Sequence, residues 1–131
     1  MSTEQEILTS CKTVAIVGIS SDEERPSHKI GKYLIKQGYR VIPVNPKETS
    51  VLGENCYLDL KAIPESVDLV NIFRRSEDVA PIVDQAIEIG AWAVWMQEGI
   101  KNEQSANKAR LAGLKVVQDR CIMKEHQRLQ A

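Results

Sequence analysis

Residues 13–21 read TVAIVGISS: an apolar run rich in β-branched residues that stops at Gly18 and passes into Ser20 and Ser21. A run this short, with no apolar–polar alternation, predicts a strand covered on both faces. Four further runs of the same kind follow, Arg40–Val44 (RVIPV), Val67–Phe73 (VDLVNIF), Ala91–Met96 (AWAVWM) and Leu114–Val117 (LKVV). Helical spacing fills the intervals. Ile30, Tyr33 and Leu34 stand at i, i+3 and i+4, and Val79, Ile82, Val83, Ala86 and Ile87 run over two turns with Pro81 in the first. A further helix around Ala106, Ala109, Arg110 and Leu111 closes at Gly113. Gly38, Gly90 and Gly113 each precede a strand by one or two residues. Helix, glycine and strand thus recur, which predicts an α/β three-layer sandwich: a five-stranded, mostly parallel sheet with helices on both faces. Short helices are expected to flank it, around Glu4–Ser10 and Met123–Leu129.

Composition sets the frame. The 131 residues, 43% hydrophobic and 27% charged, suit one folded domain over 1–131. A net charge of −1 excludes nucleic acid and anionic membrane as expected partners. The first twenty residues lack an export signal's basic start and long apolar core, and no stretch approaches the ~20 apolar residues of a membrane span. Cys11, Cys56 and Cys121 are odd in number, widely spaced and without a CxxC pair. That pattern argues against a disulfide framework or zinc site and points to a reducing, cytoplasmic setting.

A parallel sheet binds ligands beyond the carboxyl ends of its strands, where strand order reverses. After the first strand, Gly18 permits a tight turn, and Ile19, Ser20 and Ser21 bring amides and hydroxyls to the rim. A helix opens near Ser27, with Arg25, His28 and Lys29 beside its positive end. These are groups for a phosphate, although the residues equally fit an ordinary turn capped by Ser27. No G-x-G-x-x-G fingerprint is present; the next glycine is Gly31. The second strand closes on Pro43, Val44, Asn45, Pro46 and Lys47, where an NAD site would place an acid for the ribose. Lys47 instead suits a phosphorylated ribose, as in coenzyme A or NADP. Phe73, Arg74 and Arg75 end the third strand, and either arginine can pair with Glu77 or Asp78 in the turn that follows. Gln97 and Glu98 end the fourth. Trp92 and Trp95 are expected to pack in or beside the sheet.

These pieces together carry a resemblance. Gly18-Ile19-Ser20, Ile42-Pro43-Val44-Asn45-Pro46, Val67-Asp68-Leu69-Val70, Phe73-Arg74, Trp95-Met96-Gln97 and Asp119-Arg120-Cys121-Ile122 resemble, in order and spacing, the small stand-alone CoA-binding proteins of bacteria and archaea. That family is related to the CoA-binding domain of the succinyl-CoA synthetase α-subunit, and the likeness runs from about Lys12 to Leu129. It implies a Rossmann-like fold that holds coenzyme A or an acyl-CoA. By the same resemblance Gly18, Ser20 and Ser21 cradle phosphates, while Pro43, Asn45 and Lys47 border the adenosine end. Phe73 and Arg74 form the facing wall, and Gln97 and Glu98 match the loop after the fourth strand. The synthetase's phosphorylated histidine belongs to a second domain with no counterpart in these motifs, so synthetase activity is not expected to transfer.

No catalytic constellation is predicted. On a helix Cys121 and Glu125 share a face, whereas His126 points about 140° away, which is poor geometry for a dyad. Near a ligand ending in a thiol, Cys121 is a candidate for a mixed disulfide, the alternative being a small buried hydrophobe. Two other functions stay open from the residues: an NADP-binding oxidoreductase fragment, and an interaction protein with a vestigial nucleotide pocket.

Overall fold

The computed structural model describes residues 1–130. The chain runs through α1 (Thr3–Ser10), β1 (Thr13–Val17), α2 (Pro26–Lys36), β2 (Arg40–Val44), a small hairpin of β3 (Ser50–Val51) and β4 (Glu54–Asn55), and β5 (Leu69–Ile72). It continues through α3 (Val79–Glu88), β6 (Ala93–Met96), α4 (Glu103–Leu111), β7 (Lys115–Val117) and α5 (Ile122–Gln130), with 3-10 turns at Leu60–Ala62 and Ser76–Asp78. The five expected strands form one sheet in the order β2-β1-β5-β6-β7, and every pairing in it is parallel.

The strands are largely apolar because both faces of the sheet are covered; Asn71 in β5 is the one polar side chain buried within them. Along β1, Ala15 and Val17 face α3 and α4 in a core with Val70, Val83, Val94 and Ala106. Val14 and Ile16 face α1, α2 and α5, with Ile7, Leu34, Trp95 and Ile122. The side chains of alternate residues therefore seal two separate cores. Gly38, Gly90 and Gly113 adopt φ of +97°, +74° and +93° as each helix turns back toward a strand, a conformation that costs glycine least.

Two details depart from expectation. The β3–β4 hairpin, turning through Leu52 (φ 55°) and Gly53 (φ 76°), pairs too few residues to show any alternation in the sequence. Ser27 does not cap α2. Arg25 occupies the cap position with no side-chain capping bond, and the Ser27 hydroxyl instead accepts the backbone N–H of Ser20 at 3.0 Å.

Strand order reverses between β1 and β5. From there α2 leaves to one face of the sheet and α3 to the other, so a crevice opens over the carboxyl ends of these two strands.

Candidate functional site

Three adjoining cavities occupy this rim. The first, about 280 Å³, lies on the α3 face between Val17, Val44, Pro46, Leu58, Arg74 and Ile82. The second, about 320 Å³, sits over the start of α2 and is lined by Gly18, Ser20, Arg25, Pro26, Ser27 and Phe73. The third, about 460 Å³, lies on the α5 face and includes Lys29, Ile30, Gln97, Cys121 and Met123. Gly18 is common to the first two, and Pro26 and Phe73 to the last two. One trough therefore crosses the rim from one face of the sheet to the other.

Gly18 is the saddle of that trough. Its φ is +92°, and a Cβ added there would stand 2.6 Å from the carbonyl oxygen of Phe73 and 2.9 Å from Arg74 Cδ. Only a residue without a side chain lets the loops after β1 and β5 approach this closely. Its N–H is already given to the Val44 carbonyl at 2.8 Å. The chain then coils over α2: the Ser20 hydroxyl accepts the N–H of Asp22 at 3.0 Å. The Ser20 carbonyl takes the Nδ1–H of His28 at 2.9 Å, an assignment that follows because a carbonyl can only accept. His28 is only 7% exposed, so it shapes the loop from beneath and does not reach the trough. What faces the second cavity is a helix start without a side-chain cap, beside the Arg25 side chain. Pro26 brings no N–H and the His28 and Lys29 N–H groups go to the Arg25 carbonyl at 3.1 and 3.2 Å, so the Ser27 N–H and the positive dipole end are what remain.

Several sequence-selected residues act as framework. The side chain of Ile19 is wholly buried in the core, and the Ile19 carbonyl accepts Asn45 Nδ2 at 2.9 Å. Asn45 Oδ1 in turn accepts the Lys47 N–H at 2.9 Å. Asn45 thus ties the loop after β2 to the loop after β1. Pro43 lies inside β2 opposite Ile16, buried, with its carbonyl taken by the Tyr57 N–H at 3.0 Å. Pro46, not Pro43, lines the first cavity. Lys47 is exposed on the same loop and forms no ion pair among the described residues.

Phe73 and Arg74 do not share a wall. Arg74 turns into the first cavity, where its Nη2 lies 3.5 Å from Asp78, which Arg75 also approaches at 3.3 Å. The next side chain along, Phe73, points the opposite way and separates the second cavity from the third. Adjacent residues at the end of a strand project to opposite faces, which explains the split.

At the far end the loop after β6 meets α5. Gln97 is nearly buried and its Oε1 accepts the Ile122 N–H at 3.1 Å, while Glu98 is exposed and pairs with Lys124 at 3.2 Å. Asp119, at φ 56°, accepts the Gly99 N–H at 2.7 Å and holds that loop in place. Cys121 borders the third cavity. His126 faces away from it: its Nδ1 lies 2.6 Å from the Tyr33 hydroxyl between α5 and α2. Burial holds its pKa below the usual imidazole range. No group of three or more potential metal ligands occurs among the described residues, and no helix is long and apolar enough to cross a membrane.

Sequence reasoning missed three contributors here, Glu48, Leu58 and Asp59, and gave Asp119 only as part of a family motif, without its hold on the Gly99 N–H. Asp59 carries the only local signal, an N-cap acid that accepts the Ala62 N–H at 3.0 Å. The others are isolated residues brought to the rim by distant segments.

Comparison with known proteins now bears on this trough. A family model described as a CoA binding domain matches residues 12–127. The uncharacterized protein YneT of Bacillus subtilis is 37% identical over 122 residues, covering 93% of this chain and 90% of that one. The α subunit of the ADP-forming acetate–CoA ligase II of Pyrococcus furiosus is 29% identical over 131 residues, and the match spans 29% of that subunit's length. Among solved structures, a hypothetical protein from Pyrococcus horikoshii superposes with a TM-score of 0.95 at 41% identity, covering 100% of this chain and 94% of that one. A Thermus thermophilus protein gives 0.92 at 34% identity, covering 98% and 99%.

Proposed function

This chain belongs to the CoA-binding domain family, and from that premise we propose that it binds coenzyme A or an acyl-CoA along the trough and holds it without transforming it. The observation that carries the reading is the seat over α2. An uncapped helix start, the Arg25 side chain and a glycine saddle meet at one cavity, which suits a pyrophosphate. The cavities on either side match the two ends of such a ligand. The first, between Leu58, Pro46 and Ile82 with Arg74 at its edge, has the apolar walls and cation for an adenosine phosphate. The third, about 460 Å³ and walled by Ile30, Phe73 and Met123, has apolar surface that suits a pantetheine arm. Lys47 stands beside the adenosine end, free to meet a ribose phosphate.

ADP-forming acetate–CoA ligases, among them the one whose α subunit is named above, are larger proteins of which this chain matches a minor part. Their relationship favours CoA over a nicotinamide ligand at this site. A thermal-shift and calorimetric titration with CoA, dephospho-CoA, NADP and NAD tests the reading. CoA at a hundredfold excess over its dissociation constant should stabilise the fold by about 2.7 kcal/mol. Dephospho-CoA should bind more weakly, and NAD weakest. An NADP response equal to that of CoA, or no response to any of the four, would overturn the proposal.

A further inference from the structure

The third cavity is a gap between two helices. Lys29 and Ile30 of α2 wall one side and Met123 and Lys124 of α5 the other, with Phe73 at the end toward the second cavity. One turn further along each helix the two are clasped. Tyr33, three residues after Ile30, meets His126, three residues after Met123, with the hydroxyl 2.6 Å from Nδ1. The imidazole stands edge-on between two phenol rings, its centroid 5.5 Å from that of Tyr33 and 5.9 Å from that of Tyr39. Tyr39 extends the clasp to α1, its hydroxyl donating to the Leu8 carbonyl at 2.6 Å. The start of α5 is pinned separately, where the Ile122 N–H donates to Gln97 Oε1. Loosening the clasp therefore tilts α5 about that point and swings Met123 away from Ile30.

The surroundings of His126 suit a neutral ring. The two phenols stay protonated, since burial raises the pKa of each, and Cys11 and Tyr33 add to the rise at Tyr39. Cys11, at the end of α1, is itself a neutral thiol. The charged residues of α2 are Lys29, Lys32 and Lys36, all cations. On α5, Glu125 pairs with Arg128 at 2.7 Å, and Lys124 with Glu98. On α1, Glu6 pairs with Lys115 at 3.7 Å, and neither it nor Glu4 acts on His126, whose pKa is lowered by burial alone. An imidazolium at this position has no anion to offset its lost hydration, and it regains water only if α5 lifts from α2.

We propose that Tyr33 and His126 are a positioning pair that sets the separation of α2 and α5, so that protonation of His126 opens the third cavity and weakens its hold on a pantetheine arm. The inference rests on the CoA reading above. Coupling of this kind is reciprocal: a ligand that needs the closed cavity must make His126 harder to protonate. A phosphate acting through its charge would do the opposite, because an anion favours the charged ring. The sign of the change thus separates the clasp from a plain field effect.

The test follows the imidazole signals of the full chain by heteronuclear NMR, in which His28 and His126 are the only two histidines. With saturating CoA, His126 is expected to bind its proton at least about fivefold less tightly than in the free protein. Adenosine 3′,5′-bisphosphate, which lacks the pantetheine arm, should leave it unmoved. Calorimetry from pH 7.5 to 5, with circular dichroism to verify the fold, should show CoA affinity falling at least about threefold more in the parent than in His126→Gln. Titration of the ligand's own phosphate is common to both proteins and cancels. Tyr33→Phe, which keeps the ring and loses the hydroxyl, should weaken CoA at pH 7.5 and spare the bisphosphate. A His126 proton affinity that rises or stays level with CoA, equal changes with the two ligands, parallel pH profiles, or a Tyr33→Phe variant with the parent's CoA affinity would each overturn the clasp and leave the binding proposal standing. Absence of CoA binding to the parent at pH 7.5 would overturn both.

Discussion

Glu48 Oε2 accepts the backbone N–H of Ser21 at 2.7 Å, so a carboxylate already occupies an amide of the loop after β1. Hydrogen bonds from the Ser21 hydroxyl and backbone hold the Glu48 carboxyl below its usual range. An anionic ligand arriving at this loop meets a resident anion. Glu48→Gln is expected to tighten CoA binding by about threefold to tenfold at low salt, with the gain shrinking as salt rises. Calorimetry at two ionic strengths measures it; unchanged affinity would place Glu48 outside the ligand's field.

Gly18→Ala tests the saddle. The new Cβ meets the backbone oxygen of Phe73, which cannot rotate away, and φ of +92° strains any L side chain. A stability loss of about 1–3 kcal/mol is expected, together with weaker CoA binding as the loops after β1 and β5 are forced apart. Urea unfolding and a CoA titration read the two effects separately.

Arg74 lines the first cavity with its guanidinium 3.5 Å from Asp78. In Arg74→Ala, CoA affinity should fall more at low salt than at high salt, because phosphate contacts are screened. A dissociation constant equal to the parent's at both ionic strengths would make Arg74 a partner of Asp78 alone.

Asn71 sits wholly buried in β5 between Ile16 and Trp95, and neither Nδ2 nor Oδ1 has a partner among the described residues. Stranded donors and acceptors cost more than an apolar side chain of similar size. Asn71→Val is expected to raise unfolding stability by about 1–2 kcal/mol. A decrease would show that an internal water satisfies the amide.

His126, between Tyr33 and Tyr39 at the α5–α2 contact, should make stability pH-dependent. Burial lowers its folded pKa below the ordinary 6.5. The unfolded chain therefore binds the proton more readily, and the stability held by the neutral ring is complete above about pH 6.5 and drains away as pH falls toward the folded value. His126→Gln should flatten this slope between pH 7 and 5 in thermal melts. An unchanged slope would assign it to other groups.

The sheet was written locally. The residues 14–17, 41–44 and 93–96 show their burial on both faces as unbroken apolar runs, because each residue's own chemistry records whether it meets water. Glycines at the helix exits are equally plain, since one residue's φ decides them. The family motifs, too, are short runs whose order and spacing survive without any knowledge of contacts. Tertiary structure alone decided which rim residues do which work. Ser27 turned from a helix cap into the acceptor for Ser20, Asn45 became a tie between two loops, and Glu48 reached Ser21 across 27 residues of chain. Phe73 and Arg74, neighbours in sequence, separated onto opposite faces. Cys121 joined Gln97 in one chamber only because β6 and the loop after β7 end side by side. The physical reason is that local composition sets which segments are buried, whereas side-chain partners depend on strand order and on where each loop is pinned when the sheet closes.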